Sequence, residues 1–116
     1  MDKANENIIL KLTFEFALGI LDYCDLLAER KKWVLQNQLM RSGTSIGANV
    51  REAQNSESKA DFIHKFKISA KECEETMYWL ELCDMKKNLP DCKELIDQLV
   101  HVKNIINKII ITSKSK

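Results

Sequence analysis

Two carboxylate–histidine pairs stand at spacings that a helix can use to gather metal ligands: Asp61 with His64, and Asp97 with His101. A di-metal helical bundle needs such groups turned inward from facing helices, as Glu and Glu-x-x-His sets. Here His64 shares a helical face with Lys67 and Lys71, and His101 shares one with Glu94, Asp97, Asn104 and Lys108. Both histidines therefore read as solvent-facing, and neither a metal nor another cofactor is expected. Nucleophilic catalysis would need a Ser or Cys beside a positioned base. Neither histidine is placed to serve Ser42 or Ser45. H-E-x-x-H, G-x-x-x-x-G-K and G-x-G-x-x-G are absent from the sequence; Gly43-Thr44-Ser45-Ile46-Gly47 spells G-x-S-x-G but lies within a helical repeat, not on a strand-to-helix turn that would expose the serine. The expectation is a non-enzyme with no catalytic residues.

The remaining polar material supports binding or packing. Arg41, Ser45, Asn49 and Glu52 follow helical steps and form one line with Gln38, Ser42 and Ser56. A solvated face is usually rich in Lys and Glu, so this line reads in two ways. It is a polar seam between helices or subunits, with Glu72 and Glu75 as partners, or it is a recognition surface for another chain or a nucleic acid. Arg30, Lys31, Lys32, Arg41 and Arg51 are the candidate phosphate contacts, because positive charge is concentrated there. Residues 30–60 carry six Lys and Arg against two Glu, whereas residues 1–29 carry two Lys against six acids. Complementary pairing between neighbouring helices or subunits also accounts for that polarity. Trp33, beside three cations, either stacks on a base or closes the end of a core, the latter being the commoner role.

The elements that position these groups are helices. Leu39, Gly43, Ile46, Val50 and Ala53 repeat at steps of four and three, as one helix face packed on another does. Gly43 and Gly47 each cost a helix interior about 1 kcal/mol relative to Ala, so a close approach of another element must justify them. Helices are expected at about 5–30, 35–55, 59–87 and 91–111, within one domain spanning 1–116. Asp2 or Asn5 would cap the first, and Ser58 with Asp61 the third. Asp91 with Glu94 would cap the fourth, with Pro90 in its first turn. Period-two runs of Val, Thr and aromatics are lacking, and the chain has only three Gly and one Pro, so the fold class is all-α. The first helix has a narrow charged stripe (Lys11, Glu15, Leu18, Asp22, Asp25, Glu29) amid a broad apolar surface, which calls for more than one neighbour. Cys24, Cys73, Cys83 and Cys92 stand far apart with no C-x-x-C pair, as reduced thiols of a cytoplasmic protein do. No apolar run approaches membrane-spanning length, and no signal peptide is read at the N-terminus.

Three motifs then carry a family resemblance. Arg41, Ser42, Ser45, Ile46, Asn49, Val50, Glu52 and Ala53 form the first; Ser58, Asp61, Phe62, Ile63 and Lys65 the second; Lys71, Glu72, Glu75, Tyr78, Trp79 and Leu80 the third. The chain resembles, over nearly its whole length, the bacterial four-helix-bundle family encoded within intervening sequences of 23S ribosomal RNA genes. It is also similar to accessory variability-determinant proteins of diversity-generating retroelements. The resemblance implies an up-down-up-down antiparallel four-helix bundle that assembles as a ring-like homo-oligomer, typically a pentamer. It also implies an RNA, DNA or ribonucleoprotein partner, and it brings no catalytic activity. A net charge of +1 sets this chain apart from strongly basic relatives. A protein-only scaffold is the alternative function; a metal-dependent bundle enzyme is the remote one.

Overall fold

The structure is a computed structural model that describes residues 3–115, with side chains described from Ile8 onward. Four α-helices make up the chain: α1 (Lys3–Glu29), α2 (Trp33–Ala53), α3 (Lys59–Met85) and α4 (Lys93–Lys114). Among the described residues there is no strand. α1 packs on α2 and α4, and α3 packs on the same two, so α1 and α3 occupy diagonal corners. The body measures 48 × 22 × 19 Å, and its longest helices, of 27 residues each, span about 40 Å of that length. No described helix is long and apolar enough to cross a membrane.

The four-three spacing of the sequence places the core. On α2 all of Leu39, Gly43, Ile46, Val50 and Ala53 are buried. They meet Ile9, Phe16, Ile20, Tyr23 and Leu27 of α1, Phe66, Cys73, Leu80 and Cys83 of α3, and Leu99, Val102, Ile106 and Ile109 of α4 in one cluster. The glycines do bring α1 close. A Cβ on Gly43 would lie 2.9 Å from both Cγ atoms of Ile20, and one on Gly47 would lie 3.3 Å from the carbonyl oxygen of Thr13. Partner numbers on α1 thus fall as those on α2 rise. The same descent recurs between α2 and α3: Ser42 receives a hydrogen bond from Thr76 (3.0 Å), Ile46 O from Ser69 (2.9 Å), and Glu52 from Lys65 (3.2 Å).

The helix ends differ from expectation in places. Ser58 does cap α3, accepting from the Asp61 N–H at 3.0 Å, while the Asp61 carboxylate accepts from Glu57 N–H. α4 begins at Lys93, behind Cys92, whose side chain makes no capping bond; Pro90 and Asp91 precede the helix. Asp91 instead accepts from Lys93 N–H two residues on, a local turn that competes with the capping-box geometry. Trp33 is the first residue of α2 and is 54 % exposed, so it does not close the core of this chain. The caps proposed at Asp2 and Asn5 lie outside the residues whose side chains are described.

Candidate functional site

The polar line of α2 divides once it is folded. Its Arg41 reaches across to α3, where its guanidinium donates to Glu75 and, at 3.4 Å, to Glu72; it also donates to Gln38 at 3.4 Å. Trp79 completes the group, its indole N–H donating to the same Glu75 oxygen at 3.0 Å. The Trp79 and Arg41 donors hold the Glu75 carboxyl below its ordinary value, and the carboxylate in turn raises the Arg41 pKa. The spacing that places them is simple. Glu72, Glu75 and Trp79 follow steps of three and four on α3, with Arg41 one turn from Ser45 and Gln38 on α2.

Ser45 and Asn49 do not join this cross-helix group. The Ser45 hydroxyl donates to Arg41 O at 2.7 Å and the Asn49 amide to Ser45 O at 2.9 Å, both back along their own helix. Glu52 pairs with Lys65 instead of with an arginine. Arg41 and Glu52 thus reach α3 from the two ends of this line, while Ser45 and Asn49 between them bond within α2. Ser42, read from sequence as part of the same polar line, is fully buried and holds Thr76. With Ser69 on Ile46 O, these small hydroxyls are the buried polar links between α2 and α3.

The candidate phosphate contacts do not converge on one face. Arg41 is held by two carboxylates. Arg51 lies over the Phe14 ring, 5.7 Å from its centroid, on the α1 side of α2. Both it and Phe14 line an open groove of about 380 Å³ between α1 and α2, floored by Thr13, Ala17, Gly47 and Ala48. Arg30, Lys31 and Lys32 form the α1–α2 connection, and Arg30 Nε donates to Asn88 O at 3.4 Å. That contact draws in the α3–α4 connection and, with it, Lys86 and Lys87. Both lysine pairs are exposed at one end of the bundle. Sequence reading missed Lys86 and Lys87 because they are 54 residues or more from Lys32 in the chain; the signal was that both lie in interhelical connections.

Nothing assembles a metal or nucleophile site among the described residues. His64 and His101 are exposed on outer faces, and no group of three or more His, Cys, Asp or Glu is suitably gathered. The four cysteines are free and buried. Burial pushes the thiols of Cys24 and Cys92 up to about 11 and that of Cys73 to about 12. Such thiols are inert as nucleophiles at neutral pH. Tyr23, also raised by burial, donates its hydroxyl to Pro90 O at 2.7 Å, fixing the α3–α4 connection to α1.

The sequence model of the 23S rRNA-intervening sequence protein matches residues 5–108. Among solved structures, the chain is similar to a protein with unknown function from the S23 ribosomal protein family of Bacteroides thetaiotaomicron VPI-5482, determined by crystallography at 1.70 Å. The two share 38 % identity and a TM-score of 0.85, over 91 % of this chain and 97 % of that one. No curated protein matches the chain.

Proposed function

The chain belongs to the family of 23S rRNA-intervening sequence proteins, and from that premise we propose that it is a non-enzymatic helical scaffold that acts by assembling. Its helices run up-down-up-down and antiparallel, which the descending partner numbers support, and copies of it form a ring-like homo-oligomer, with the pentamer implied by the resemblance. One observation carries the reading: large apolar side chains stand exposed on α1, α2 and α3, where a lone bundle would carry polar ones. The Arg41–Glu72–Glu75–Trp79 group fixes how α2 and α3 present those side chains. Buried, free cysteines suit a reducing, cytoplasmic setting. Light scattering on the purified protein tests the proposal: a multiple of the 13.4 kDa subunit mass supports it, and a monomer at all concentrations refutes it.

A second reading, binding of RNA or of a ribonucleoprotein partner, draws on the Arg30–Asn88 contact that gathers Lys31, Lys32, Lys86 and Lys87 at one end. Repeated around a ring, such an end would present several lysine clusters even though each chain is near neutral. The similarity to accessory variability-determinant proteins belongs to this reading. It predicts RNA affinity that falls steeply with salt. An absence of binding at low salt, with no nucleic-acid absorbance in the purified protein, removes it.

A further inference from the structure

Two exposed apolar stripes share one spacing. On α1, Phe14, Leu18 and Leu21 are 53, 51 and 38 % exposed; on α3, Tyr78, Leu82 and Met85 are 57, 41 and 82 % exposed. Each stripe follows i, i+4, i+7, the spacing of one helix seam prepared for another. Because α1 and α3 are diagonal, the stripes do not cover each other; Phe14 meets Arg51 and Tyr78 meets Trp79, yet both rings stay more than half exposed.

Their ends toward the connections are opposite in charge, while farther along α3 Glu74, paired with Lys103, and Glu81 share the face of Tyr78. The α1 stripe is bordered by Asp22, Asp25 and Glu29, none of which has an ion pair among the described residues. The α3 stripe runs out at Lys86 and Lys87, beside Lys31 and Lys32, and these four also lack a carboxylate partner there. The acid excess of α1 and the cation excess at the connections are therefore not neutralised by each other inside the bundle. α1-to-α1 pairing between two copies would set the acids against acids.

We propose that the α1 stripe of one copy of this chain packs against the α3 stripe of the next, with the α1 acids meeting the lysines of the connections. The inference rests on the oligomer reading above and names its interface. Two different patches meet, so every copy keeps one donor and one acceptor face, and only closure into a ring satisfies both. Lysines held by a neighbour's carboxylates are correspondingly less available to phosphate.

The test uses the full chain and two variants, Leu18→Glu and Leu82→Glu, at half-exposed positions. Circular dichroism checks that each stays helical, and Met85→Glu replaces Leu82→Glu if the latter unfolds. Each variant alone is expected at the mass of one subunit by light scattering. Mixed in equal amounts, they should form a two-subunit complex and nothing larger, because only one intact pair of faces remains. A folded variant that keeps the wild-type mass, or a mixture that stays monomeric, overturns the interface while leaving an oligomeric wild type intact. A wild type that is itself monomeric overturns the oligomer reading and the interface with it.

Discussion

Substituting each of the three glycines by Ala should separate helix propensity from packing. All three lie inside helices, so each Ala gains about the same, roughly 1 kcal/mol. What the new methyl meets differs. At Gly19 it comes within 3.0 Å of Leu95 Cδ2, the tip of a half-buried side chain that can turn aside. Gly19→Ala should therefore stabilise by about 0.5–1 kcal/mol. At Gly43 the methyl would lie 2.9 Å from Cγ1 and Cγ2 of Ile20 and 3.3 Å from its Cβ. Ile20 is fully buried and branched at Cβ, so it has no rotamer to retreat to. Overpacking of this kind costs about 1–3 kcal/mol, which leaves Gly43→Ala about 1 kcal/mol less stable than wild type. Gly47 stands between them: Thr13 Oγ1 would lie at 3.1 Å and its carbonyl oxygen at 3.3 Å. At about 4 °C per kcal/mol for a domain of this size, the Gly19 and Gly43 variants should melt about 6–8 °C apart. Thermal and urea unfolding followed by circular dichroism, at one fixed protein concentration, measures this. A Gly43→Ala protein as stable as wild type, or a Gly19→Ala protein that falls with it, would refute the packing argument.

Three further outcomes follow from the polar contacts. Thr76→Val should cost about 1–2 kcal/mol by leaving the buried Ser42 hydroxyl without its cross-helix partner, and adding Ser42→Ala should recover part of the loss in a urea double-mutant cycle. Glu75 has a folded pKa below its ordinary value of 4.5, so its contribution is present above that value and lost as pH falls through the folded one. Acid titrations of stability should thus be shallower below pH 4.5 for Glu75→Gln than for wild type, and equal slopes would count against the Trp79 and Arg41 contacts. At pH 8, a thiol reagent should label native protein slowly and all four cysteines rapidly in denaturant; fast native labelling would contradict the burial that raises Cys24, Cys73 and Cys92.

Much of the fold was legible because the core depends on local periodicity. The line from Leu39 to Ala53 names the buried face of α2 correctly. The Arg41 group was legible in kind, since α3 offers Glu72 and Glu75 on one line. Periodicity did not distinguish Ser42 from Ser45, which differ by about 60° around the helix and so fall on either side of its buried boundary. It also could not show that Phe14 and Leu21 remain outside while Cys24 goes in, because that depends on where α2 and α4 stop covering α1. Trp33 misled for a related reason: the helix begins two residues earlier than expected and turns the indole outward. The meeting of the two lysine pairs needed the Arg30–Asn88 contact, which is tertiary.

Lys31 and Asn88, at φ of 58° and 72°, are the only non-glycine residues of positive φ among those described. Asn tolerates that conformation; Lys does so at a penalty of about 1–2 kcal/mol that glycine would avoid. Mutational tolerance at the two sites should accordingly differ in kind. At 88 the backbone alone decides, and Gly is an acceptable replacement. At 31 a Gly would ease the turn while deleting a cation, so drift under selection for stability alone would run toward Gly. A lysine there ties the tightest turn of the bundle to its charge, and makes position 31 the place where conformation and electrostatics can be varied against each other by a single residue.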